Sequence, residues 1–375
     1  MSVRMPINGN TLKWARDVLD MDQETLGKAA NLKPERIGEF EAGTAQPTLN
    51  QAKALAKRLD RSVAFLLAPP PQASDVPKTV DFRGHDGKDY PAALAKEIKR
   101  AEQQRDALRD FEDLSSRVKL GKITWDNLDL RASEFRNHLG LTPGFVPPVR
   151  DADQAFNFWR GALENAGYLV FQTTGIERSV FKGLSLEHEV LPIILVNGSD
   201  FATSKVFTLF HEVAHIANRT SGLCLLHEEV WQEALSNRFA ATFLMPTEEV
   251  KRALASRQST LSPMEQIAAR FRVSKLAAAI RLRHLDIITE ADLEEIRQTS
   301  DDAWQQRRQK QRESDGFVPP WRLRYRDLGS TYIGAVARAV DDRRIDLVDA
   351  TYLLNARLPM VEKIFEEYFK TGGAQ

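Results

Sequence analysis

The sequence predicts a mainly α-helical chain. It opens with an all-α bundle, passes through a linker into an α+β domain whose small sheet stands beside a helix carrying His-Glu-x-x-His, and ends in a helical C-terminal region. Three observations lead there. Apolar residues recur at helical spacing through most of the 375 residues. Three β-rich apolar runs stand close together between residues 168 and 196. Pro69-Pro70-Pro71, with the apolar-poor stretch that follows to Lys78, marks a semi-extended linker after the first helices. A chain of this length is expected to form two or three folding units, and the segments anticipated are 1–70, 71–150, 151–300 and 301–375.

In chain order, residues 8–67 show short helical patterns: Leu12, Ala15, Val18 and Leu19, then Leu26, Ala29 and Ala30, then Ile37 and Phe40, then Leu49, Ala52, Leu55, Ala56 and Leu59. Turn signals at Met21-Asp22, Asn31-Leu32, Glu41 to Thr44 and Gln46-Pro47 separate them, and Ala64 to Leu67 suggests one more helix. From Pro91 to Val118 a charged helix buries Leu94, Ile98, Ala101, Leu108, Phe111 and Leu114. Helices follow around Trp125 to Leu139 and Asp153 to Ala166, the first ended by Pro143-Gly144 and Pro147-Pro148. Tyr168 to Gln172, Phe181 to Leu186 and Leu191 to Val196 read as strands, with Pro192 placing the last at a sheet edge where an extended peptide could add. Helical patterns then run from Phe201 to Arg297, and again from Arg326 to Phe369 after a basic, glutamine-rich stretch at 305–312.

Composition excludes several function classes. Lys+Arg and Asp+Glu are equal at 52 each, so no global field draws the chain to nucleic acid or a membrane, and any such partner must meet a local patch. The single cysteine, Cys224, has no intramolecular partner for a disulfide. Apolar runs such as Val190 to Val196 are far too short to cross a bilayer, and the first residues lack an apolar signal core. The expectation is a cytoplasmic protein with no membrane partner.

The chemistry concentrates in His211-Glu212-Val213-Ala214-His215. Four-residue spacing puts both imidazoles on one helix face with Glu212 beside them, the arrangement that binds zinc and leaves a position open for water. With 7 histidines in 375 residues, chance yields such a pattern in roughly 1% of chains of this composition. Asp200 is the expected cap of this helix, and Phe207, Phe210, Val213, Ala214 and Ala217 would bury it against the sheet. A catalytic zinc normally takes three protein ligands, and the helix from Glu228 to Leu244 offers the third. Glu233, Asn237 and Ala240 share one stripe there, so Glu233 is the candidate; His227, Glu228 and Glu229 are its rivals. Asn237, one turn on, is placed to hydrogen-bond a ligand.

HEVAH followed by Glu233-Ala-Leu-Ser-Asn-Arg-Phe-Ala-Ala-Thr-Phe-Leu-Met-Pro246 resembles the ImmA/IrrE family of bacterial and phage metallopeptidases, over roughly residues 150–250. The family pattern is HExxH, then E-x-x-A-N-x-F-A, with L-M-P closing the helix. The resemblance implies a zincin-like fold, Zn2+ held by His211, His215 and Glu233, and Glu212 as the general base. Ser236 stands where alanine is usual, and the connection from His215 to Glu233 is short.

Leu12-Lys-Trp-Ala-Arg16, Gln23-x-x-Leu-Gly-Lys-Ala-Ala30 and Pro34-Glu-Arg-Ile-Gly-Glu-Phe-Glu-Ala-Gly43 resemble the lambda-repressor-like (Xre-type) helix-turn-helix. That implies a double-stranded DNA operator read by the helix from Pro34, with Gln23 and Thr25 on the backbone, Lys33 and Arg36 reaching phosphate or base edges, and a homodimer on two half-sites. Residues 1–67 hold ten Lys/Arg against eight Asp/Glu, a thin excess for a duplex binder. Arg307, Arg308, Lys310 and Arg312, with Arg322, Arg324 and Arg326, read as a solvated linker with capacity for phosphate contacts. Met264 to Leu285 scans as a second helix-turn-helix or as helical packing around the site.

Proteins that join these two modules resemble regulators. The implied function is a DNA-binding regulator with zinc endopeptidase activity that cleaves a transcriptional repressor or other regulatory protein in a stress, phage or toxin–antitoxin setting. The alternative is a non-proteolytic regulator or antitoxin, with a toxin as partner, whose zinc fold senses a ligand or protein. An intact Glu212 favours the first, because a structural zinc needs no base beside it.

Overall fold

The computed structural model describes residues 4–17, 21–59, 61, 63–67, 69, 92–111, 120–148, 151–177, 180–220, 230–255, 261–296 and 318–371. The linker from 70 to 78, Leu114, Cys224, the rival ligands His227, Glu228 and Glu229, and the basic run at 305–312 lie outside them. The chain divides into two compact units, Met1–Glu102 and Gln103–Gln375.

The first unit is built from α1 (Gly9–Asp17), α2 (Gln23–Ala30), α3 (Pro34–Glu41), α4 (Leu49–Arg58) and α5 (Val63–Leu67). Its core is the apolar stripe read from the sequence, with Leu12, Leu26, Ile37, Phe40, Leu55 and Leu66 buried. Asp22 caps α2 by accepting from Thr25 N, and Asn31 ends it in the left-handed region at φ 56°, a conformation asparagine tolerates. A Cβ on Gly27 would sit 2.8 Å from the Leu32 carbonyl, so this tight turn requires glycine. Thr48 and Gln51 close a reciprocal capping box at the start of α4. The helix α6 (Ala92–Phe111) runs across the boundary between the units.

The second unit continues through α7 (Leu128–His138), α8 (Ala152–Asn165), β1 (Leu169–Thr173), β2 (Gly183–Leu186), β3 (Ile193–Asn197), α9 (Ala202–Asn218), α10 (Val230–Leu244), α11 (Thr247–Ala255), α12 (Pro263–Phe271) and α13 (Lys275–His284). A short α14 at residues 290–296 follows, then α15 (Pro320–Leu328), α16 (Ser330–Asp341), α17 (Leu347–Leu353) and α18 (Leu358–Lys370). The sheet has order β1-β3-β2, with β1 parallel and β2 antiparallel to β3. This corrects the reading of Leu191 to Val196 as an edge strand. Ile193 to Asn197 is buried throughout, and a run apolar on both faces belongs in the middle of a covered sheet. Pro192 precedes the strand, and its carbonyl accepts from Leu169 N at 2.9 Å. A peptide therefore cannot add to β3.

One sheet face, carrying Val170, Ile194 and Val196, packs with α8 and α9 in a core that also takes α7, α10, α12 and α13. At its centre Phe210 stacks on Phe243 at 4.0 Å between ring centroids, and Trp159 meets both edge-on. Two buried arginines hold the end of α10: Arg136 donates to Phe243 O at 2.8 Å and Arg281 to Met245 O at 2.9 Å. Both carbonyls lie where α10 ends, beyond the reach of further helical N–H donors.

Arg322, Arg324 and Arg326 lie on the ordered helix α15 rather than in a solvated linker. The end of α15 is gripped by Arg160, which donates to Arg326 O, Asp327 O and Val170 O. Behind it, Tyr332 of α16 packs edge-on against Phe171 of β1. Met264 to Leu285 does fold as helix, turn, helix, with Arg272 left-handed at φ 57° and Ser274 capping Ala277 N. Its Ile267, Ala278 and Leu282 are buried in the same core as α9 and α10. No helix among the described residues is long and apolar enough to cross a membrane.

Candidate metal centre

α9 returns across the sheet directly after β3 and carries the HEVAH residues on its buried length. Its cap differs from expectation: the N-cap is Phe201, which makes no side-chain cap bond, and Asp200 sits one residue earlier. Asp200 accepts from Phe201 N at 2.9 Å and from the Ser204 hydroxyl at 2.5 Å. α10 lies alongside α9 and presents Glu233 and Asn237 from one stripe, as their spacing predicts.

His211, His215 and Glu233 meet at one point, each offering an atom within 4.8 Å of the others. The two Nε2 atoms are 3.0 Å apart, and Glu233 reaches them at 3.4 Å (His211) and 3.3 Å (His215). His211 Nδ1 lies 3.0 Å from Asn237 Oδ1, an atom that can only accept, so the proton is on Nδ1 and Nε2 is free to coordinate. His215 Nδ1 lies 2.9 Å from the hydroxyl of Thr220. Burial, reinforced by His215 and offset by Glu233, holds His211 down at about 4, so its ring is neutral at pH 7.

The donor set fits a metal ion. Two imidazole Nε2 atoms 3.0 Å apart, both within 3.4 Å of a carboxylate from a second helix, make up a His2Glu donor set of the kind that holds a divalent cation. The three separations are also close to the ~3.3 Å edge of a tetrahedron with bonds of about 2.0–2.1 Å.

Glu212 is fully buried on the sheet side of α9. The residue opposite it is Gly183, at the start of β2: a Cβ there would fall 2.2 Å from Thr208 Cγ2 and 2.7 Å from Glu212 Oε1. β2 runs in the same direction as α9, since Gly183 faces Thr208 and Glu212 while Glu187, just past the strand, pairs with Arg219 at the helix end. Gly183 and Thr220 were both missed by sequence reasoning. Gly183 fell inside the expected strand Phe181 to Leu186 with nothing to single it out, and nothing in spacing points from His215 to a hydroxyl five residues on.

Of the residues expected at DNA, the structure leaves two exposed and occupies two. Thr25 and Lys33 are exposed. Gln23 donates to Glu41 Oε2 at 2.8 Å, alongside Arg16, which also binds Glu41. Arg36 pairs with Glu39 and lies over the Phe40 ring at 4.9 Å.

Residues 168–283 match the family model described as the IrrE N-terminal-like domain, a peptidase family, and residues 12–66 match a helix-turn-helix model. The chain carries an IrrE N-terminal-like domain behind a helix-turn-helix domain. Both HEVAH and the Glu233 helix fall within the IrrE-like match, and the helix-turn-helix match implies DNA binding for the first unit. Among solved structures, a Mycobacterium tuberculosis transcriptional regulator is 18% identical with a TM-score of 0.30, the match covering 49% of this chain and 51% of that one. The chain thus spans about half the length of that regulator. Bacillus thuringiensis PlcR, in complex with the peptide PapR7 and DNA, is 11% identical with a TM-score of 0.16 over 83% of this chain and 100% of that one. ComR from Streptococcus suis is 12% identical with a TM-score of 0.16 over 100% and 97%. No curated protein matches the chain.

Proposed function

We propose that this protein is a DNA-binding regulator whose IrrE-like domain is a zinc endopeptidase acting on a regulatory protein such as a repressor. The observation that carries the reading is the convergence of His211, His215 and Glu233 on one point, with Glu212 next to His211 in α9. Two borderline imidazole nitrogens with one carboxylate oxygen suit borderline-soft Zn2+ above the harder divalent cations. Bound zinc supplies Lewis-acid activation of a water and of a peptide carbonyl. Glu212 takes the proton of the attacking water and returns it to the leaving amine, as a general base and then a general acid. Asn237 holds the His211 ring through Nδ1. The helix-turn-helix domain directs the activity to its setting by binding a DNA operator, with Lys33 and Thr25 exposed for that contact.

A second reading is favoured by one feature, the complete burial of Glu212. In it the zinc-bearing fold senses a ligand or a partner, a toxin among them, and cuts nothing. The test is to purify the full chain, quantify zinc, and incubate wild type and Glu212→Gln with the regulatory proteins encoded beside it. Zinc at one equivalent with cleavage abolished by Glu212→Gln is the expected result. Zinc without cleavage by the wild type would leave the sensor reading in its place.

A further inference from the structure

We infer that Thr220 is a positioning residue of the metal centre: its hydroxyl accepts the Nδ1 proton of His215 and thereby holds that imidazole with Nε2 toward the ion. The inference rests on the zinc reading above and deepens it. The geometry begins with the end of α9. Arg219 is left-handed at φ 57° and ψ 36°, and this turn stops the helix one residue before Thr220. Had the helix continued, position 220 would stand about 140° around the axis from His215 and face away from it. The left-handed turn instead folds Thr220 back under the last helical turn, where its N–H donates to His215 O at 3.0 Å.

Its side chain then spans the ligand. Thr220 Oγ1 lies 2.9 Å from His215 Nδ1 and 3.4 Å from His215 O. A hydroxyl has one proton and two lone pairs, and the carbonyl can only accept. A hydroxyl that donates to the carbonyl keeps a lone pair that accepts Nδ1–H. With its proton on Nδ1, His215 keeps the Nε2 lone pair, 3.0 Å from its counterpart on His211, for the metal. Asn237 performs the same task for His211 from the other helix. The two rings are thus locked by one oxygen each, from α10 and from the turn after α9. His215 is 1% exposed, so water has little access to replace the hydroxyl if it is removed.

The test uses the full chain. Zinc affinity is measured by competition with a chromogenic chelator for wild type, Thr220→Val and Thr220→Ser, with circular dichroism and thermal unfolding recorded on each. Thr220→Val keeps the volume and loses the acceptor; its zinc affinity is expected to fall about 10- to 100-fold, and Thr220→Ser to recover most of that loss. Independently of any substitution, 15N spectra of histidine in the zinc-loaded wild type should show His215 protonated at Nδ1 and coordinated through Nε2. Unchanged affinity in Thr220→Val beside a zinc-binding wild type, or coordination of His215 through Nδ1, would overturn the inference alone. A wild type that binds no zinc would overturn the zinc reading and this inference with it.

Discussion

Replacing Gly183 by alanine puts a methyl carbon where two side chains already stand. It would lie 2.2 Å from Thr208 Cγ2 and 2.7 Å from Glu212 Oε1, against an ordinary carbon contact of about 3.5–4.0 Å. Both neighbours are buried on α9, which is packed between the sheet and α10, so neither swings freely into solvent. Relief demands a displacement of about 1 Å or more in β2 or in Glu212. Overpacking of this kind costs roughly 1–3 kcal/mol, and a general base moved by 1 Å loses about a hundredfold in rate. His211, His215 and Glu233 are not among the atoms nearest that carbon, so zinc stoichiometry should hold while stability and hydrolysis both fall. Urea unfolding of Gly183→Ala, Glu212→Ala and the double variant gives the coupling between the positions without a substrate. Truncating Glu212 removes the 2.7 Å contact but leaves the one with Thr208, so the double variant should be less destabilised than the sum by an amount at the low end of about 0.5–3 kcal/mol. Additive behaviour, or a Gly183→Ala chain as stable as wild type, would refute the argument that this glycine keeps space for the carboxylate.

Three more outcomes follow from particular contacts. In the helix-turn-helix domain, Arg36 is neutralised by Glu39, so Glu39→Gln should tighten duplex binding and steepen its salt dependence, while Lys33→Ala should flatten the logarithmic salt slope by about one; equal slopes in a fluorescence titration across salt would remove both residues from the DNA face. Burial lowers Lys205 to about 8, with Arg326 and Arg160 adding to the effect and Asp153 and Asp200 opposing it. Its unfolded form holds the proton up to the ordinary 10.5, so stability is greatest above that value and falls as pH drops through 8, by on the order of 3 kcal/mol; Lys205→Met should flatten the curve between pH 8 and 10.5 in denaturant titrations. Arg160→Met removes donors to Val170, Arg326 and Asp327 and leaves Glu164 buried without its partner at 2.8 Å. That should cost roughly 3–5 kcal/mol and speed hydrogen exchange in α15; undiminished protection there would mean that α15 does not depend on this grip.

What the sequence made legible is set by period. Helices whose apolar residues repeat every three or four positions, such as α1 to α4 and α9, lie where their stripes placed them because burial of that stripe is what forms them. The three strands were visible for the same reason. Their order was not, since Ile193 to Asn197 is apolar on both faces and a single run does not say how many neighbours it has. Arg322, Arg324 and Arg326 misled through composition alone: a basic run reads as solvated, yet the carbonyls of Arg326 and Asp327 accept from Arg160 and Gln172, and the Arg326 guanidinium donates to Thr174 and Asp327.

The site divides along the same line. His211, His215 and Glu233 come together because a helix converts spacing of four into a shared face, and two such faces packed together define a point. Gly183 and Thr220 could not be found this way, because their roles arise where regular structure stops. Gly183 acts through the absence of an atom opposite Glu212, and Thr220 acts through a left-handed residue that redirects the chain. Arg219, which makes that turn, is neither glycine nor asparagine and so leaves no mark of a helix end. The consequence is specific to chemistry of this kind. Periodicity brings His211, His215 and Glu233 to one point, while Gly183 opposite Glu212 and Thr220 beside His215 sit at a strand start and a helix end, where a pattern of two or of 3.6 carries no information.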